Sequence, residues 1–146
     1  MARRGQGHRD LRQELRFACA PDGVRIAYAI HGHGSPLVMA PSWISHLERD
    51  WDTPVWRHYL DALGRIATVI RFNERGFGLS DHDVSDFSLE ARYGGLSAVI
   101  EAAGPDRFAL MGMSQSGPIV IRYAVDHPDR VTRLVLSGRM PWRSYR

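Results

Sequence analysis

Cysteine is nearly missing from this chain of 146 residues. Cys19 stands alone, which excludes an intrachain disulfide and a thiolate metal cluster and lends nothing to secretion. Lysine is missing altogether, so all 19 basic residues are arginine. No apolar run approaches the roughly 18 residues of a membrane span, and the opening MARRGQGHRDLRQELRF lacks the apolar centre of a signal peptide. A cytoplasmic protein with no membrane partner is the resulting expectation. Internal repeats and low-complexity tracts are also absent. The formal charge is +3 and the isoelectric point about 9.5, which raises the question of nucleic acid. A binder gathers its basic residues on one face or segment. Here they are spread along the chain, with only Arg3, Arg4, Arg9, Arg12 and Arg16 loosely grouped, so nucleic-acid binding is not expected.

What is present suits a folded domain. Hydrophobic residues make up 44% and charged residues 24%, and a chain of this length buries about 68–70% of its unfolded surface. Residues 1–14 read as a basic, disordered arm. Two β-prone runs then flank Asp22-Gly23, a dipeptide suited to a hairpin turn. LVMAP (37–41) and ATVIRF (67–72) are short continuous apolar runs of the kind that form strands covered on both faces. Between them Thr53 and Pro54 open a helix, with Val55, Tyr59, Leu60 and Leu63 at helical spacing and Gly64 at its end. After the Gly-rich loop NERGFGLSDHD, a weaker helical pattern covers 88–103, with Leu89, Tyr93, Leu96, Val99 and Ile100 on one side. FALMG, a helix over 115–127 and VTRLVLSG complete a strand–helix–strand unit. The alternation predicts an α/β fold: a mostly parallel sheet with helices on both faces and an N-terminal antiparallel hairpin.

The stretch LMGMSQSGPIVIRYA places Ser114 between a strand and a helix. A serine hydroxyl becomes a nucleophile only when a base takes its proton and fixed donors hold the developing oxyanion. A sharp strand-to-helix turn projects the side chain from the sheet edge and brings backbone N–H groups beside it. Such a turn needs small flanks, and Gly112, Ser116 and Gly117 supply them. The same pattern also fits a serine that merely caps the helix.

Several segments in order resemble the N-terminal half of an α/β-hydrolase, over residues 15–138. These are GVRIAYAIHG, PLVMAP, NERGFGLSD (similar to the family's D-x-R-G-x-G-x-S), the elbow GMSQSG and HPDRVTRLVLSG. A nearer similarity is to bacterial hydrolase-like domains sometimes fused to transcription-regulator or cyclase modules. The resemblance implies that Ser114 is the nucleophile and that the N–H groups of Gln115 and Trp43 form the oxyanion hole. Position 116 is Ser where the family has Gly, and Pro41-Ser42 stands where His-Gly is usual.

The family's triad continues with an acid and a histidine on strands after the elbow, and this sequence has no place for either. Residues 15–146 therefore read as an incomplete, truncated α/β-hydrolase domain. Loss of the base costs on the order of 10⁶ in kcat in subtilisin, so the chain alone is expected to be inactive or weakly active. His46 and His82 fall near the carboxyl edge and are the candidate stand-in bases. His31, His33 and His58 read as exposed polar positions, and His127 as a cation at a helix end. Asp81, His82, Asp83 and Asp86 read as a solvated loop with a helix cap, so neither a metal nor another cofactor is expected. An edge after LVLSG without a neighbouring strand predicts self-association or a partner domain there. Three readings stand: a serine hydrolase for a small carboxylic ester or related acyl substrate, a non-catalytic ligand-binding or regulatory module, and a degenerate gene fragment.

Overall fold

The computed structural model describes residues 11–42 and 44–138. Among these, strands β1 (Glu14–Cys19), β2 (Arg25–Gly32), β3 (Ser35–Ala40), β4 (Ala67–Phe72), β5 (Phe108–Met113) and β6 (Val131–Ser137) form one sheet in the order β1-β2-β4-β3-β5-β6. The β1–β2 and β2–β4 pairs are antiparallel, and β3–β4, β3–β5 and β5–β6 are parallel. The helices are α1 (Leu47–Asp52), α2 (Pro54–Gly64), α3 (Leu89–Ala103) and α4 (Gly117–Asp126). The mixed sheet and its leading hairpin match the expected class. Antiparallel pairing extends one strand further than expected, because β2 also pairs with β4.

Side-chain alternation sorts the strands onto two faces. Val38, Ala40, Phe108 and Leu110 pack with Leu96, Val99 and Ile100 of α3 and with Ile119, Val120 and Tyr123 of α4. Met39 and Met111 point the other way, onto Leu60 of α2. The chain leaves β3 toward β4 on one side, and leaves β5 toward β6 on the other. Right-handed crossovers then put α2 and α4 on opposite faces. The reversal falls between β3 and β5, and the carboxyl end of such a switch point leaves a crevice where α/β sheets bind ligands.

Local signals explain most boundaries. Pro54 sits in the first turn of α2, although Thr53 donates its hydroxyl to the Arg49 carbonyl and does not cap α2 by side chain. Ser88 caps α3 by accepting from the Ala91 N–H, and Gly104 ends it in the left-handed region at φ +82°. Of the two glycines inside α3, Gly94 lets it lie close on the hairpin, since a Cβ there would stand 3.2 Å from Pro21; one at Gly95 would meet Ile26 at an ordinary 3.6 Å. The short α1 was not anticipated. It lacks the length for a helical period to show, and it is pinned by His46 and by the burial of Leu47.

Two expectations are corrected. Of the arm, residues 1–10 lie outside the described residues, but Leu11 and Gln13 are half-buried and hydrogen-bonded, and Glu14 opens β1. Gln13 donates to the Leu47 carbonyl at 3.2 Å and accepts from Arg71 at 2.6 Å, and the Leu11 carbonyl accepts from Arg57 at 3.1 Å. His31, expected exposed, is buried in β2, while His33 and His58 are exposed as read. The His31 ring lies against α2, where Nε2–H donates to the Leu60 carbonyl at 2.9 Å and Nδ1 has no partner among the described residues. Among the described residues no helix is long and apolar enough to cross a membrane.

Burial, reinforced by the charge of Arg71, holds the His31 ring below its ordinary pKa of 6.5. As pH falls below that value the unfolded chain takes up a proton that the folded chain resists, so stability declines. Calorimetry at about pH 7.5 and about pH 5.5 should show a smaller acid loss of Tm for His31→Gln than for wild type.

Candidate active site

The chain leaves β5 at Met113 and turns at once. Ser114 has φ +50°, and among the described residues it alone has a positive φ without being glycine. Such a torsion costs on the order of 1–3 kcal/mol. Ser114–Ser116 form a single 3₁₀ turn, after which α4 begins. Ser114 is exposed, and among the described residues its Oγ has no hydrogen-bond partner. It is not a helix cap: Ser116 holds the N-cap position of α4, and no side-chain capping bond is made there. The capping alternative thus falls away, and what remains is a serine lifted into solvent by a turn.

Close packing produces the turn. A Cβ at Gly112 would stand 2.5 Å from Val120 Cγ2 and 3.4 Å from Gly117 Cα, so both glycines let α4 press onto β5. Ser116, the departure from the family pattern, is wholly buried. Its hydroxyl accepts from the Met113 N–H at 2.7 Å and lies 3.0 Å from the Met113 carbonyl and 3.2 Å from the Ala40 carbonyl. Its one proton is available to either oxygen. The extra hydroxymethyl group therefore ties the elbow to the end of β3.

The other expected site residues divide. The Gln115 side chain is exposed, and among the described residues no side chain takes up its N–H. Trp43 lies outside the described residues. His46 Nδ1 accepts from the Arg49 N–H at 3.4 Å and caps α1, while His82 Nε2 donates to the Gly78 carbonyl at 2.7 Å. Neither is brought within hydrogen-bonding distance of Ser114. Asp81 accepts from the Arg25 N–H at 2.8 Å, and Asp86 from the Ser88 N–H at 2.9 Å, so the cap of α3 is Ser88 and not an aspartate. Among the described residues no group of three or more His, Cys, Asp or Glu is placed to hold a metal ion.

The NERGFGLSD segment is a structural staple. Asn73 Oδ1 accepts from the Leu79 N–H at 3.0 Å, and its Nδ2 donates to Ser45 Oγ at 3.0 Å, which joins this loop to the one after β3. Arg75 is buried and donates to both oxygens of Asp22 at 2.6 and 3.1 Å. Ser80 Oγ accepts from the Ala27 N–H and donates to the Asn73 carbonyl. Sequence reading overlooked Glu74 and Arg92. They form a buried ion pair at 3.2 Å, and Arg92 also donates to the Gln115 carbonyl at 3.0 Å. A signal was available: Arg92 falls four residues before Leu96, on the apolar side of α3, where a charge needs a partner.

Residues 31–145 match the family model of the α/β hydrolase fold. The chain belongs to the α/β-hydrolase fold family. A soluble epoxide hydrolase of a Corynebacterium species is 28% identical over 120 residues, 82% of this chain and 40% of that protein. A pyrrolizixenacetamide deacetylase of Xenorhabdus hominickii is 30% identical over 114 residues, 78% of this chain and 41% of that protein. The crystal structure of a Pseudomonas aeruginosa hydrolase superposes with a TM-score of 0.74 at 28% identity, over 90% of this chain and 48% of that one. This α/β-hydrolase chain thus spans less than half the length of these relatives.

If the elbow is strained as its torsion indicates, Ser114→Gly should raise stability by about 1 kcal/mol, because glycine adopts positive φ freely. Ser116→Ala should lower it by about 1–3 kcal/mol, since the Met113 N–H loses its partner. Urea denaturation of the two variants beside wild type checks both signs.

Proposed function

We propose that this chain is a serine-hydrolase domain in which Ser114 attacks a carboxylic ester or related acyl substrate. The observation that carries the reading is the exposed Ser114 at φ +50°, at the carboxyl edge of the β3–β5 switch point. In the acyl-transfer step, Oγ bonds to the carbonyl carbon as its proton passes to a base. The bond to the leaving alcohol breaks, and the alcohol takes up that proton. Water then releases the acid. The Gln115 N–H, with that of Trp43, receives the charge on the carbonyl oxygen.

A hydroxyl nucleophile favours a carbonyl substrate, of the kind implied by a deacetylase, over an epoxide. Acylation leaves an ester that water can cleave, whereas opening an epoxide would leave a serine ether with no carbonyl for water to attack. Proton transfer is the weak part of the described residues: neither His46 nor His82 is hydrogen-bonded to Ser114, and each spends one ring nitrogen on a local bond. Ester turnover by this chain alone should stay within about 10³–10⁴ of the uncatalysed rate, the residue of catalysis left by an oxyanion hole and binding. The same observation favours the second reading, a non-catalytic ligand-binding module. The outer edge of β6 is assigned to association with a second copy or a partner domain, because Leu134, Val135 and Leu136 are 39%, 44% and 47% exposed there.

A fluorophosphonate probe separates the readings. Wild type should be labelled slowly, for want of a placed base, and Ser114→Ala not at all, with His46→Ala and His82→Ala labelled at the wild-type rate. Equal labelling of wild type and Ser114→Ala, or none of either in a folded protein, would overturn the nucleophile assignment.

A further inference from the structure

We infer that the buried Glu74–Arg92 pair is a positioning device for the oxyanion donor, holding the Gln115 carbonyl and thereby the direction of the Gln115 N–H. The inference rests on the reading of Ser114 as nucleophile. Three segments far apart in sequence meet here: Glu74 from the loop after β4, Arg92 from the first turn of α3, and Gln115 from the elbow. Arg92 Nε donates to Glu74 Oε2 at 3.2 Å, and Arg92 Nη2 donates to the Gln115 carbonyl at 3.0 Å. Glu74 Oε1 accepts from the Arg75 N–H at 3.2 Å, so both carboxylate oxygens are engaged. Glu74 is 1% exposed and Arg92 9%.

Packing alone does not account for this arrangement. Two buried charges lose more hydration than they regain from each other unless the geometry is good, and an apolar pair of similar volume would hold α3 against the loop at least as well. Burial pushes the Glu74 carboxyl above its ordinary pKa, against the pull of Arg92, which shows the cost on the carboxylate side. What an apolar pair cannot do is grip a carbonyl oxygen. A guanidinium is planar, so with its Nε–H held by the Glu74 carboxylate the Nη2 donor is kept to the same plane. A lysine ammonium cannot do this.

Gln115 is also the part of the elbow that needs such a grip. Met113 is held by the Ser116 hydroxyl and Gly112 by close packing against Val120, whereas the Gln115 side chain is exposed and adds no anchor. The peptide on the amino side of Gln115 carries the N–H that faces the oxyanion. The peptide on its carboxyl side is the one Arg92 holds. A tilt of the second swings the first.

The test uses the full 146-residue chain and the variants Arg92→Lys and Glu74→Gln. For each, Tm is measured, the Gln115 backbone amide is followed by NMR for chemical shift and hydrogen exchange, and the rate of Ser114 labelling by a fluorophosphonate is determined. Arg92→Lys should shift the Gln115 amide, speed its exchange, and slow labelling about tenfold to a hundredfold, the scale of a misplaced reacting geometry. Glu74→Gln should move the same readouts in the same direction by less, because an amide oxygen still accepts from Arg92, and it carries the test if Arg92→Lys does not fold. Folded variants with an unmoved Gln115 amide and the wild-type labelling rate would overturn the inference and leave the pair a packing element. If wild type is not labelled, the nucleophile reading fails on its own. The Gln115 amide then decides the positioning claim separately, an unmoved resonance sinking it.

Discussion

A serine held at φ +50° carries a cost on the order of 1–3 kcal/mol, and it persists only where its surroundings leave the chain no cheaper path. Around Ser114 those surroundings come from every direction. Beneath it, Val120 of α4 fills the space that a side chain at position 112 would need. Toward β3, the Ser116 hydroxyl reaches the Ala40 carbonyl. Toward α3, Arg92 holds the Gln115 carbonyl. Relaxing the torsion would mean moving at least one of these neighbours.

Seen this way, the buried polar groups of the carboxyl edge are one system. Asn73 links the loop after β3 to the Gly-rich loop, and Arg75 links that loop to the hairpin through Asp22. Glu74, between Asn73 and Arg75, sends the connection on through Arg92 to the elbow. Unpaired, each of these groups would be costly to bury. Paired, they fix the relative placement of the loops that border the crevice while the apolar faces of the sheet supply most of the driving force for folding.

The fold was legible in the sequence because its elements announce themselves through short-range rules. ATVIRF is an uninterrupted apolar run and became β4 with the expected bounds, and Pro54 and Gly64 bracket α2 as their backbone preferences require. The elbow was legible for the same reason: small residues at 112, 116 and 117 are a steric demand of the turn itself. His31 was not legible, because its burial depends on α2 lying across β2, a tertiary fact with no local trace. The role of Ser116 was hidden too, since a hydroxyl at a position that tolerates only small groups looks like a minor intrusion until the Ala40 carbonyl is seen opposite it. Arg92 stood between these cases. Its place on an apolar stripe signalled a buried partner, but only the fold could say that the partner was Glu74 and that the pair reaches Gln115, beside Ser114.

Among the described residues, the restraints on Ser114 come from β3, β5, α3, α4 and the Gly-rich loop. None of them involves a histidine. On the proposed reading, placing Ser114 and the Gln115 N–H is a separate physical problem from removing the serine's proton, and the first is met by packing and hydrogen bonds among these residues. A base joining such a site needs only to reach an exposed hydroxyl at the sheet edge; it need not form the turn. The energetic cost of the strained elbow is met by the elements that contain it, so its geometry does not depend on whichever group would take the serine's proton.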